Sequence, residues 1–305
     1  MASGVALSRQ TIAGKQLEVV IDSLGAALVS LRWRPDDTEL AIGPDAFQDG
    51  AAGLHVGSVL GRFSRVVRDG RFAIDGRVHQ LSQNEGSHHL HGGFIGFSRR
   101  RWRIQEHGSE HLVLGLTSFD GEEGYPGTLV VTAGFRVAGP TLVTWFEAQT
   151  DAPTLCALSQ HPFLNLSDDL DIDNHSLRMA VRGRLTQDAA FLPAGTLSAE
   201  DSWFDAWTVL GPRRIDDFFV PATIPWQVKT RGPTGLTLAI TSDQPGIAIY
   251  TGDHLPFPRR GICIQSSAWP DAPNLPGVPS SILRPGQHYR SRTSYTVRRP
   301  PWSSS

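Results

Sequence analysis

Lysine is nearly missing from this 305-residue chain: only Lys15 and Lys229 occur, and arginine supplies the rest of the 28 basic side chains. With 30 acidic residues the formal net charge is −2, so no global cationic field exists to hold nucleic acid or an anionic membrane. Cysteine is equally scarce. Cys156 and Cys263 sit in apolar runs, which reads as two buried free thiols and not as a disulfide framework. No stretch of about 18 apolar residues is present, and the N-terminus lacks the charged, apolar and small-residue succession of a signal peptide. A cytoplasmic location is the default expectation. Asn165-Leu166-Ser167 and Asn174-His175-Ser176 match the glycosylation pattern, and without export they count as chance matches. Sustained 3.6-residue apolar periodicity is also missing, which excludes a helical bundle and leaves a βαβ sheet without its helices.

Glycine and proline, by contrast, are abundant: 31 and 21 residues, spread along the chain. Between them recur short segments in which apolar and polar positions alternate, the pattern of half-buried strands. Leu112–Leu116, Leu129–Val137, Leu142–Ala148, Leu177–Leu185, Leu236–Thr241, Ile247–Thr251 and Tyr289–Val297 are the clearest. Arg71–Asp75 reads as a strand entering an Asp75-Gly76 turn, with Val78–Leu81 returning. Only Ala199–Ala206 has the make-up of a short helix. Hydrophobic residues at 40% against 19% charged supply a substantial core. No linker, repeat or low-complexity segment divides the middle. The expectation is one all-β, mostly antiparallel domain over residues 1–305, with a core over about 15–297 and a frayed tail over 298–305.

The eleven histidines are unevenly placed. His88, His89 and His91 cluster in Gly86-Ser-His-His-Leu-His-Gly-Gly93; in an extended segment His89 and His91 would share one face and His88 the other. Two imidazoles on one face can bind a metal, but no acidic or cysteine ligand stands nearby at a recognised spacing, so neither metal nor cofactor is expected. His161 lies in an apolar segment, Ser159-Gln-His-Pro-Phe-Leu-Asn-Leu166. Asp216 and Asp217 interrupt Ile215-Asp-Asp-Phe-Phe-Val220. They face opposite ways if the segment is a strand, but on these residues alone a solvated turn is the favoured explanation. Gln265 ends the apolar run Gly261-Ile-Cys-Ile-Gln265 and by default is a surface amide.

Taken in order, these segments resemble the aldose 1-epimerase (galactose mutarotase-like) family. The resemblance rests on Ile21–Ala26, Gly61–Phe72, Leu90-His-Gly-Gly93 with Gly96-Phe97 and Trp102, and Asp120-Gly-Glu-Glu-Gly-Tyr-Pro-Gly127. It continues through His161–Leu166, Phe204-Asp205, Ile215–Phe219, Tyr250-Thr-Gly252, Pro270-Asp-Ala-Pro-Asn274 and Leu283-Arg-Pro-Gly286. It implies a galactose mutarotase-like β-supersandwich with an open cleft for a small carbohydrate or carbohydrate-like ligand. It also implies a metal-free isomerase chemistry: a carboxylate takes the C1 hydroxyl proton of a cyclic hemiacetal while a histidine protonates the ring oxygen. On this likeness His161 matches the acid, His91 a second substrate-binding histidine, and Asp216 the acid that holds sugar hydroxyls.

Two positions depart from the family pattern. Gln265 stands where the family places its catalytic glutamate, and an amide cannot accept a proton at ordinary pH. Candidate replacement bases are Asp253, Asp271, His89 and His91, with Asp271 better suited to shaping its Pro-Asp loop. The family's Asn-Arg pair falls on Arg65-Val66, so Arg65 replaces the sugar-binding arginine only where the backbone is irregular. Phe163 and Leu164, where the family often has Tyr and Phe, suggest a less polar cleft and hence a modified, deoxy or non-sugar ligand. Three readings follow: an epimerase with His161 as acid and a relocated base; a repurposed enzyme of a specialised biosynthetic pathway using His161 and His91 on a non-standard substrate; and a catalytically silent carbohydrate-binding protein.

Overall fold

The computed structural model describes residues 8–47, 54–198 and 204–299. Among them the chain is built from β-strands and short 3-10 turns, and every pair of strands in a sheet is antiparallel. A nine-stranded sheet takes its strands in the order Thr208–Val209, Ser176–Met179, Trp226–Arg231, Thr237–Ser242, Tyr289–Arg298, Thr141–Thr150, Leu129–Ala138, His111–Ser118 and Arg103–His107. A seven-stranded sheet runs Pro193–Ser198, Val181–Gln187, Asp216–Pro221, Gly246–Tyr250, Ile262–Ser267, Phe163–Leu164 and Ala41–Ile42. A four-stranded N-terminal sheet, Arg9–Ala13 to Thr38–Glu39, completes the large layers. This is the all-β, antiparallel architecture that the strand pattern implies.

One continuous apolar core joins the sheets. Ile12, Val19 and Leu28 enter it from the four-stranded sheet, Val131, Phe146 and Leu238 from the nine-stranded sheet, and Phe219, Ile249 and Ile264 from the seven-stranded sheet. Alternation along each strand dictates this. Each such side chain gains about 1.5–3 kcal/mol on burial, so the apolar face of every strand turns inward and its intervening residues turn out.

The clear alternating segments are strands to within a few residues, with one exception. Leu177–Leu185 is two strands that part at Ala180, Ser176–Met179 in the nine-stranded sheet and Val181–Gln187 in the seven-stranded one. Alternation continues across the change of sheet, so the pattern carries no sign of it. Asp75 (φ 51°) and Gly76 (φ 78°) make the left-handed pair of a type I′ hairpin turn. The last strand extends to Arg298, one residue into the tail expected to fray. Residues 300–305 and, from the helix expected over Ala199–Ala206, residues 199–203 lie outside the described residues. No described helix is long and apolar enough to cross a membrane.

Candidate active site

The outer face of the seven-stranded sheet is the floor of a cleft. Register fixes its composition: Asp216 pairs with Tyr250, Tyr250 with Cys263 and Cys263 with Phe163, and in the adjoining row Phe218 pairs with Ala248 and Ala248 with Gln265. Period-two alternation then places Asp216, Tyr250, Cys263 and Gln265 on the same face. The walls are loops: Arg65 and Val66 from one segment, Leu90 and His91 from a second, His161 beside the floor, and Phe191 from a hairpin turn. The enclosed part of the cleft is about 160 Å³, and it widens to about 660 Å³ when the open space at its mouth is counted.

A buried scaffold holds the walls. Arg62, 1% exposed, donates to the carbonyls of Ser118, Phe119, Pro126 and Gly127 and to the hydroxyls of Ser118 and Thr154 at 2.8–3.3 Å. It thereby ties the start of the Arg65 wall to the Asp120–Gly127 loop. That loop also fixes the second wall: the Glu123 carboxylate accepts from the amides of Phe94 and Ile95 at 3.1 and 2.7 Å and from Ser82. Tyr125 Oη meets His89 Nε2 at 2.6 Å. Gly92 (φ +91°) permits the closest approach of the two walls, since a Cβ there would lie 1.7 Å from the Gly61 carbonyl oxygen.

Inside the cleft His91 and His161 stand edge to face, ring centroids 5.8 Å apart, and His55 packs against the far side of His91 at 5.2 Å. The Ser64 carbonyl lies 2.7 Å from His91 Nδ1. A carbonyl only accepts, so Nδ1 carries the proton and Nε2 keeps its lone pair. Burial depresses all three imidazoles: His161 is pushed down to about 3 and His55 to about 4. His91 also falls well below the ordinary histidine range, and all three are neutral at pH 7. His161 Nδ1 lies 3.3 Å from Cys263 Sγ, and the same sulfur accepts from Gln265 Nε2 at 3.4 Å. Gln265 is 4% exposed, and its Oε1 is buried without a protein partner. Across the cleft, Arg65 sits over the Phe218 ring at 5.9 Å with its Nε unpartnered. Asp216 is open to water at the mouth yet ringed by protein. Desolvation pushes its carboxyl up to about 6 against the opposing pull of Arg65.

Arg65, His91, His161, Asp216 and Gln265 are thus brought together. Several expectations need correction. Gln265 is not a surface amide: its strand lies inside the sheet and its side chain is buried in the floor of the cleft beneath the loop walls. Asp216 and Asp217 lie in a strand and not in a turn. His89 and His91 do not share a face: His91 adopts φ +54°, breaking the extended geometry, and His89 is spent on Tyr125 and the Ser82 carbonyl. Asp271 receives the amides of Arg68 and Asn274, shaping its loop, and Asp253 is engaged by Thr251 and Arg259 outside the cleft. Arg65 and Val66 both line the cleft because their segment is irregular. Leu164 belongs to the main core and Phe163 lies beneath His161, so the cleft's apolar surface comes instead from Val66, Leu90, Ala248 and Phe191. Reading the residues singly missed Cys263, whose i, i+2 relation to Gln265 was an available signal, and Phe191 and His55, which had none. Among the described residues no group of three or more His, Cys, Asp or Glu is placed to hold a metal ion.

The chain belongs to the aldose 1-epimerase family, whose model matches residues 8–296. Galactose mutarotase of Rattus norvegicus is 29% identical over 96% of this chain and 94% of that protein. Aldose 1-epimerase of Escherichia coli K12 is 28% identical over 91% of each. An aldose epimerase homologue from C. elegans superposes with a TM-score of 0.89 at 25% identity, covering 97% of this chain and 100% of that one.

Proposed function

We propose that this chain, acting as a single domain, interconverts the anomers of a cyclic sugar by acid-base ring opening and reclosure, with two neutral imidazoles in place of a carboxylate–histidine pair. The observation that carries the reading is the edge-to-face pairing of His91 and His161 in one cleft, with a buried amide, Gln265, lining the same cleft. His91 Nε2 takes the C1 hydroxyl proton; the freed electron pair forms the C1 carbonyl as the bond from C1 to the ring oxygen breaks. The ring oxygen takes the Nε2 proton of the neutral His161, which is left as an imidazolate beside the His91 imidazolium until reclosure. C1 turns about its bond to C2; the former ring oxygen, now a hydroxyl, attacks the other face of the C1 carbonyl and returns its proton to His161, while His91 gives the proton it took back to the C1 oxygen. Arg65 donates to sugar hydroxyls and Asp216 accepts from them at the mouth. Gln265 Oε1 accepts one further hydroxyl without taking its proton. Imidazoles held this far below neutral pH are weak proton carriers, so turnover is slow beside that of a site with a carboxylate base.

The decisive assay is polarimetric relaxation of freshly dissolved α-glucose and α-galactose. Wild type accelerates it, and His161→Ala and His91→Ala each remove the acceleration. A wild-type protein that is inert yet binds sugar in calorimetry supports the second reading, a silent carbohydrate-binding protein, which the proton-refusing Gln265 favours. Inert protein with no sugar binding points to repurposed chemistry.

A further inference from the structure

We infer that Cys263 is a positioning residue that selects the tautomer of His161, holding the proton on Nε2, where the cleft needs it. The inference rests on the proposed reading of His161 as proton donor. Cys263 is 0% exposed, and its sulfur joins two groups of the site: Gln265 Nε2 at 3.4 Å and His161 Nδ1 at 3.3 Å. Burial pushes the thiol up, so it keeps its proton at every working pH. The sulfur already accepts the amide N–H of Gln265. Its own proton is therefore free to be given, and the bare nitrogen of a neutral imidazole is a far better acceptor than a second use of sulfur. With S–H donating to Nδ1, the ring proton resides on Nε2.

A competing arrangement exists in the same place. The backbone carbonyl of His161 already lies within reach of its own ring N–H, so carbonyl and thiol compete to set which state Nδ1 adopts. Without the thiol, an Nδ1 proton turns to that carbonyl and Nε2 is left bare. His161 would then be a second acceptor beside His91, and the cleft would hold two bases and no acid. Gln265 completes the device from the other side: its amide N–H occupies the sulfur lone pairs and leaves the thiol proton to the ring. The chain Gln265 to Cys263 to His161 does for donor chemistry what a buried carboxylate does for a histidine that must be a base.

The test reads the ring nitrogens directly. In long-range ¹H–¹⁵N spectra of ¹⁵N-labelled full-length protein at pH 7, assigned with His161→Gln, wild-type His161 should show a protonated Nε2 and a bare Nδ1. Cys263→Ser, which keeps a donor, should retain that pattern, and Cys263→Ala should move the proton to Nδ1. In polarimetry with α-galactose, Cys263→Ala should lose about tenfold or more in kcat with KM within about twofold, while Cys263→Ser stays within about threefold of wild type; a wrong tautomer in a serine-protease triad costs about 10⁴. A wild-type His161 protonated on Nδ1, or a Cys263→Ala protein with the proton still on Nε2, overturns the inference. Should Cys263→Ala not fold, the wild-type spectrum alone decides. Should no variant turn over sugar, the proposed function fails while the spectra still judge the tautomer.

Discussion

Gln265→Glu restores a proton acceptor to the cleft with hardly any change of shape, and its effect follows from the geometry. Gln265 and His161 contact the same sulfur, at 3.4 and 3.3 Å, so a carboxylate at 265 lies within about 7 Å of the ring. Opposite charges at that distance, at an effective dielectric of about 20, are worth about 2.4 kcal/mol, or nearly two pKa units. His161 then rises from about 3 to about 5, and its imidazolium fraction at pH 7 grows about 50-fold. Burial simultaneously lifts the new carboxyl toward neutrality, the range in which a general base is effective. A positioned base contributes about 10²–10⁴, so the expected gain in mutarotation rate is at least about 100-fold. The assay is polarimetry of α-galactose and α-glucose from pH 5 to 8, where the variant should also gain an acid limb near pH 5. A folded variant, judged by circular dichroism and Tm, whose rate does not exceed that of wild type at any pH would refute the placement of Gln265 beside the reacting centre.

Two further predictions concern stability. Arg62→Met strips four carbonyls and two hydroxyls of their donor in a buried place. Each unsatisfied buried group costs about 1–3 kcal/mol, so urea unfolding should show a loss of about 4 kcal/mol or more; a loss below about 1 kcal/mol refutes the scaffold role. Acid should destabilise the protein early. His55, His89 and His175 are pushed by burial down to about 4 and His161 to about 3, and His91 lies well below its usual range. Native protein therefore binds fewer protons than unfolded chain between these values and about 6.5. Their stabilisation is present above pH 6.5 and drains away as pH falls toward 4. Asp216, raised to about 6, works in the opposite direction with a single proton. Urea midpoints should fall between pH 7 and pH 5 with a net uptake of roughly three protons on unfolding, and equal midpoints refute it.

The sheets were legible because alternation and turn residues act locally: Leu129–Ala138 and Thr141–Thr150 are visible in their own residues. The change of sheet at Ala180 was not, because which sheet a strand joins is settled by distant partners. The same division holds in the cleft. Arg65, His91, His161, Asp216 and Gln265 were singled out by motif order. The failure of Asp253, Asp271 and His89 as bases depended on partners elsewhere in the chain, such as Arg259, Arg68 and Tyr125. Gln265 looked like a surface amide because a single strand does not reveal the distant loops that close over its face.

Arg62 also bears on the order in which the molecule is assembled. Its acceptors lie 56 to 92 residues downstream, so the wall carrying Arg65 cannot be locked until Asp120–Gly127 and Thr154 have docked. Contacts of such long sequence separation form slowly. In refolding, core burial should accordingly precede ligand competence, giving a lag between the recovery of tryptophan fluorescence and the recovery of sugar binding.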